Sequence, residues 1–207
     1  MEMEEWKWHN CKVCGRDYQK PKGQCPFCRK QKLWDGKTIE EKAPMLSPRL
    51  KQELEKHKSY PFPTRPAESM YLTGPAGSGK TVFAAKVLLD LLEDMFVEGI
   101  YIRSQFVTIN KLTDEIKQAY AKKEPDLPII EKYKECDWLI LDDIGTKATT
   151  DWVYDILFSI IDYRYEQLKK TIIISNMSFE DMSAYLNDER ITRRIAAMSQ
   201  VYYHFEK

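Results

Sequence analysis

Eight residues, Gly74-Pro75-Ala76-Gly77-Ser78-Gly79-Lys80-Thr81, fit the pattern G-x-x-x-x-G-K-[ST] at every position. The chemistry of that pattern is phosphate binding. The glycines let the backbone bend until successive N–H groups converge on anionic oxygens. A helix starting at the same place adds its positive end. The Lys80 ammonium is then in reach of the β- and γ-phosphates, and the Thr81 hydroxyl can ligate Mg²⁺. A glycine turn with a merely solvated lysine would leave the other positions of the motif without a reason. ATP is the expected ligand.

A complementary acidic half lies downstream. Trp138-Leu139-Ile140-Leu141 is followed by Asp142-Asp143. A short, wholly apolar run is the signature of a strand buried on both faces, and ligands of open α/β sheets sit at the carboxyl ends of such strands. There Asp142 would hold Mg²⁺, directly or through water, and Asp143 would orient or deprotonate an attacking water. The plainer alternative is a capped loop start, since aspartate favours turns. A further apolar run, Thr171–Ile174, ends in Ser175-Asn176. An amide there would touch the γ-phosphate or the lytic water, or it simply ends the strand. Arg190 and Arg194 fall one helical turn apart, with no acid three or four positions from either within their helix. Such a pair calls for an external anion, a phosphate from a neighbouring subunit or DNA, unless solvent or a distant carboxylate satisfies it. Glu189 and Arg193 make a favourable i,i+4 surface pair.

Four of the five cysteines form Cys11-Lys12-Val13-Cys14 and Cys25-Pro26-Phe27-Cys28. Each C-x2-C can turn two thiolates toward one ion, and four thiolates in a tetrahedral set suit Zn²⁺. An iron–sulfur centre or redox pairs are the alternatives. So short a segment has no core of its own, and the metal would supply its folding free energy. Between residues 9 and 33 there is an excess of six positive charges, although the whole chain is neutral. Cys136, His9 and His204 stand alone and read as structural.

The surrounding pattern supplies elements to carry these groups. Residues 1–35 form a cysteine-, aromatic- and lysine-rich module. Residues 36–46 are polar, lack periodicity and read as a linker. Residues 47–207 alternate strand-like and helix-like units, which predicts a parallel sheet flanked by helices. Ser47-Pro48 suits the start of a helix through Lys58; Pro61, Pro63 and Pro66 forbid helix before the first strand, Met70–Thr73. A helix follows the glycine loop and stops at Gly99. Gly99–Arg103 reads as the next strand, Thr108–Ala121 as a helix, Glu124–Pro128 as a loop, and 201–205 as the last strand. No apolar run is long enough to cross a bilayer, and the acidic start Met1-Glu2-Met3-Glu4-Glu5 is no signal peptide. A cytoplasmic location is expected.

The residues at Gly74–Thr81, Asp142-Asp143-Ile144-Gly145, Ile173-Ile174-Ser175-Asn176 and Arg190-Ile191-Thr192-Arg193-Arg194-Ile195 together resemble the DnaC/DnaI-like helicase loaders and the related IstB transposition ATPases of the AAA+ class. The resemblance spans about residues 47–207. It implies an ATPase in which Lys80, Asp142, Asp143 and Asn176 (sensor I) act in one subunit and Arg194 acts as an arginine finger in the next. Arg190 matches a second arginine of that motif. It also implies that single-stranded DNA is approached by Tyr120, Lys147, Thr150 and Trp152, where partly buried packing is the competing role for the two aromatics. Aspartate stands at 143 where many AAA+ proteins have glutamate, so slow hydrolysis is expected. With the final strand at the end of the sequence, no helical lid and no sensor II arginine are expected. Loaders of the DnaI type carry an N-terminal zinc module that docks on the helicase. The expected partners are therefore a hexameric replicative helicase, single-stranded DNA and further copies of the chain. A transposition helper and a nucleotide-gated adaptor with little turnover are the alternatives.

Overall fold

The structure, a computed structural model, describes residues 7–20, 25–56, 68–145, 150–186 and 189–206. A short hairpin, β1 (Lys7–Asn10) and β2 (Asp17–Lys20), comes first, followed by α1 (Pro26–Asp35), α2 (Ile39–Lys42) and α3 (Pro48–Lys56). Then follow β3 (Ser69–Thr73), α4 (Lys80–Glu98), β4 (Ser104–Thr108), α5 (Ile109–Ala121), α6 (Leu127–Glu135), β5 (Trp138–Ile144) and α7 (Asp151–Glu166). The chain finishes with β6 (Lys170–Ser175), α8 (Phe179–Leu186), α9 (Glu189–Met198) and β7 (Ser199–His204).

The larger sheet has the order β4-β5-β6-β3-β7, and every pairing in it is parallel. Strand β6 thus lies between the strand that feeds the glycine loop and the strand that carries the twin aspartates. That extra strand separates this fold from simple nucleotide kinases, in which the glycine-loop strand and the acidic strand are neighbours.

Two apolar layers cover the sheet. On one side Phe83, Ala84, Val87 and Leu88 of α4 pack with Leu72, Ile140, Ile172 and Ile174. On the other, Leu112, Ile116, Ile156, Ile160, Ile191 and Ile195 pack with Tyr71, Leu139, Leu141 and Ile173. Alternate residues of each central strand supply the two layers, because successive side chains of a strand point to opposite faces.

Three local readings are corrected. The strand expected over Gly99–Arg103 is β4, five residues later. Gly99 is the left-handed cap of α4, and its N–H and that of Ile100 turn back to Met95 O. Ile100 and Tyr101 look strand-like but are exposed, Tyr101 by 87%. Pairing begins where Ser104 meets Trp138. The loop expected at Glu124–Pro128 ends early: Pro128 sits in the first turn of α6, where a missing N–H costs nothing. The polar stretch 36–46 holds α2, closed by a reciprocal Thr38–Glu41 capping box. Ala43 and Leu46 next to it are buried with the α4 layer. Pro61, Pro63 and Pro66 lie outside the described residues.

Candidate functional site

The glycine loop joins β3 to α4 at the carboxyl edge of the sheet. Gly74, Gly77 and Gly79 all have positive φ. At Gly74 the need is steric as well: a Cβ would come within 2.2 Å of Phe205 O, because the Phe205 N–H bonds to Thr73 O. Lys80 opens α4 and is buried. Its Nζ donates to Gly74 O at 2.7 Å and Pro75 O at 2.8 Å. These are carbonyls of the loop itself, acceptors that a phosphate can replace without moving the backbone.

Asp142 and Asp143 lie near the end of β5, where its register against β6 shifts. Asp143 takes positive φ, which aspartate tolerates better than most residues. The consequence is a division of labour: Asp142 is buried, whereas Asp143 is exposed. The Asp143 N–H donates to Asp142 Oδ1 at 2.8 Å. Burial, reinforced by the Asp143 charge, pushes the Asp142 carboxyl up to about 6, against the opposing pull of the Thr81 hydroxyl and Lys80. Burial likewise lowers the Lys80 ammonium, with Asp142 and Asp143 opposing. Both groups are strained toward neutrality, which is the electrostatic mark of a site prepared for further charges.

Asn176 follows β6 at the same edge and is exposed. Its neighbours are pinned. Ser175 Oγ donates to Ile144 O and accepts from Met177 N–H, and Met177 O accepts from the Tyr71 and Thr73 hydroxyls. A cavity of ≈ 320 Å³ opens beside Thr81, Asp142 and Asp143 and is also lined by Arg49 of α3 and Lys111 of α5. Sequence reasoning missed these two cations. Arg49 follows the start of a capped helix, and nothing in its spacing marks it.

On the other flank of Asp143 a cleft of ≈ 400 Å³ is lined by Lys117, Thr150 and Trp152. The Tyr120 and Trp152 rings lie 6.3 Å apart, and the Lys117 ammonium is 5.7 Å from the Trp152 ring centre. Tyr120 Oη donates to Asp126, and Thr150 caps α7 by accepting from Val153 N–H. Lys147 lies outside the described residues.

Arg190 and Arg194 do share a face of α9, but Arg194 has a carboxylate within its own chain. Its Nε donates to Asp162 of α7. Counting along one helix cannot find an acid on the next. Arg193 pairs with Glu189.

The four N-terminal cysteines converge, with all ligand atoms within 4.8 Å of one another. Cys11 and Cys14 flank the turn closed by Gly15 N–H to Cys11 O; Cys25 caps α1 and Cys28 lies in its first turn. The separations Cys11–Cys28 of 3.6 Å and Cys14–Cys25 of 3.8 Å agree with the edge of about 3.8 Å that four Zn–S bonds of about 2.3 Å impose on a tetrahedron. The donor set therefore fits a zinc ion. Helix α1 rests on α4: Trp34 Nε1 and Gln31 Nε2 donate to Glu93 at 3.0 and 2.6 Å, and the Trp34 and Phe96 rings lie 5.4 Å apart.

The family model described as IstB-like ATP binding protein matches residues 26–205. The chain belongs to that family. This IstB-like protein is 30% identical over 139 residues to the phage-like element PBSX protein XkdC of Bacillus subtilis, covering 65% of this chain and 48% of that one. It is 29% identical over 122 residues to the replicative helicase loader DnaI of the same organism, covering 58% and 36%. It therefore spans less than half the length of these curated relatives. The crystal structure of the DnaC helicase loader superposes with a TM-score of 0.57 at 23% identity, over 76% of this chain and 89% of that one; at that identity the likeness shows a shared fold. The chain carries an IstB-like ATP-binding domain, with its glycine loop, acidic strand and intervening β6 in place. Among the described residues, no helix is long and apolar enough to cross a membrane.

Proposed function

We propose that this IstB-like protein uses ATP to place a hexameric replicative helicase on single-stranded DNA in the cytoplasm. The carrying observation is the adjacency of two cavities that share Asp143 in their walls: one also lined by Thr81 and Asp142, the other by Lys117, Thr150 and Trp152, with the Tyr120 ring beside Trp152. The likeness to DnaI and the cysteine module before the AAA+ core support a helicase as the partner.

In this reading residues 1–35 form the zinc module, 36–46 connect it, and 47–207 form the ATPase domain. The N–H groups of Gly74–Thr81 cradle the phosphates, and Lys80 turns from its loop carbonyls to the β- and γ-phosphates. Thr81 and Asp142 would hold Mg²⁺, which supplies charge neutralisation to the phosphate oxygens. Asp143 orients the attacking water, and Asn176 contacts it or the γ-phosphate. Arg194 of an adjoining copy completes the anion cage, with Arg190 beside it. Tyr120 and Trp152 stack on bases, Lys117 and Lys147 meet backbone phosphates, and Thr150 fixes the start of α7. Cys11, Cys14, Cys25 and Cys28 would hold Zn²⁺, whose role is to fold the module that grips the helicase.

The test pairs two measurements. ATP turnover is compared with and without single-stranded DNA for wild type, Asp143→Asn and Arg194→Ala. Both variants should lose most of the rate; equal rates in all three would remove the hydrolytic reading. Co-purification with a hexameric replicative helicase is compared for wild type and Val13→Glu, a change at an exposed apolar residue of the first cysteine turn. Capture unaffected by that change would argue against the module as the grip. The family itself keeps a second reading open, delivery of a transposase to DNA; capture of a transposase but not the helicase would select it.

A further inference from the structure

Side chains of α7 hold both arginines of α9. Arg190 and Arg194 lie one turn apart on α9, and Phe158 and Asp162 lie one turn apart on α7. The guanidinium carbons of Arg190 and Arg194 stand 4.7 and 5.0 Å from the centre of the same Phe158 ring. Arg194 Nε donates to the Asp162 carboxylate, and Arg194 Nη1 donates to Arg190 O at 3.3 Å. The Tyr165 ring centre lies 6.0 Å from the same guanidinium. Among the described residues no hydrogen bond leaves Nη2 of Arg194. The Arg194 side chain keeps 26% of its surface open, and Asp162 keeps 33%.

The pattern of occupied and open donors is informative. A guanidinium offers five N–H groups in one rigid plane. A carboxylate meant only to neutralise it commonly forms a two-pronged pair that uses two nitrogens. Here Asp162 takes Nε alone, a main-chain carbonyl takes Nη1, and the aromatic ring supports the face. Position and plane are fixed, while a terminal nitrogen stays available. A half-exposed pair of this kind contributes little to stability, so its value lies elsewhere. A free arginine side chain would first have to be ordered, at an entropic cost, before it met a phosphate.

We propose that Asp162 and Phe158 are positioning residues that preset the Arg194 guanidinium at the protomer surface for the phosphates of a nucleotide bound by an adjoining copy. This rests on the reading of Arg194 as a finger acting in trans. It adds the device that makes the finger ready before assembly, so that the aligned geometry is not assembled anew at each encounter.

Mixing two full-length variants tests it. Lys80→Ala keeps a finger but has lost the lysine of its own phosphate site; Arg194→Ala keeps the phosphate site but lacks a finger. ATP turnover in the mixture, above either variant alone, reports a finger working in trans. Adding Asp162→Asn to the Lys80→Ala partner should lower the recovered rate about ten-fold, since small misplacements of a reacting group are costly. Asp162→Glu in the same partner should restore most of that loss, and Phe158→Leu should give a smaller drop. Asp162→Asn in the Arg194→Ala partner should leave the recovered rate unchanged, an asymmetry that a merely structural role would not produce. If the loss is absent, or equal whichever partner carries the change, the positioning role is overturned. If the parent mixture recovers no turnover, the trans reading itself falls.

Discussion

Two of the regions that bury charge among the described residues are finished differently. Arg164 on α7 is wholly enclosed. Its Nε donates to Thr171 Oγ1, Nη1 to the carbonyls of Tyr133, Lys134 and Cys136, and Nη2 to Lys170 O. One side chain thereby ties the end of α6 and the beginnings of β5 and β6 to α7. At the other end of the sheet, Lys80 and Asp142 are almost as deeply placed, yet their partners are the bent loop's own carbonyls and a neighbouring hydroxyl and N–H. The first region contains all the ligands its cation needs. The second leaves its charges displaced toward neutrality, and in the proposed reading a phosphate and a metal complete it. Completeness of local satisfaction separates a structural ion from a working one.

The largest effect should come from the finished region. Arg164→Met leaves four carbonyl groups and a hydroxyl without their donor and should cost about 3–5 kcal/mol of stability, seen as a lower urea midpoint. A loss under about 1 kcal/mol would mean that the enclosed cation is dispensable. In the unfinished region Lys80→Ala should keep the wild-type urea midpoint within error and weaken ATP binding about 100-fold, or about 2.7 kcal/mol. Titration with a fluorescent nucleotide measures it, and unchanged affinity would sever the lysine from the ligand.

The last effect has the opposite sign. The Asp142 carboxyl titrates near 6 in the folded chain against 3.8 as a free side chain. The folded state therefore binds more protons across that window, and stability falls as pH rises through it. Asp142→Asn removes the penalty. Without Mg²⁺ the variant should be more stable than wild type at pH near 7.5, by no more than about 3 kcal/mol, the equivalent of about two pH units, with the gain fading toward pH near 4. A variant less stable than wild type at the higher pH would show that the buried carboxylate is a stabilising group.

What could be read from the sequence was local. The glycine loop, the apolar strand with two acids and the paired cysteines declare themselves because spacing along the chain dictates where their donors go. The central strands and the helix faces of Ile191 and Ile195 follow from periodicity of the same short range. The rest depends on what lies across the fold. Gly99–Arg103 has the composition of a strand, but the αL cap at Gly99 and the pairing of Ser104 with Trp138 move the ladder downstream. Asp162 is 32 residues from Arg194, so counting along α9 leaves the arginine without an acid. Arg49 and Lys111 reach the cavity beside Asp142 from separate elements, and no short motif contains them.

The seat of α1 on α4 has a mechanical side. Trp34 and Gln31 fasten to Glu93, and Arg16 pairs with Glu98, both near the far end of α4; the near end of that helix is Lys80. Nineteen residues at roughly 1.5 Å each make a rod of roughly 28 Å. Tension applied to the cysteine turns is therefore delivered along a stiff lever whose fulcrum end is the glycine loop.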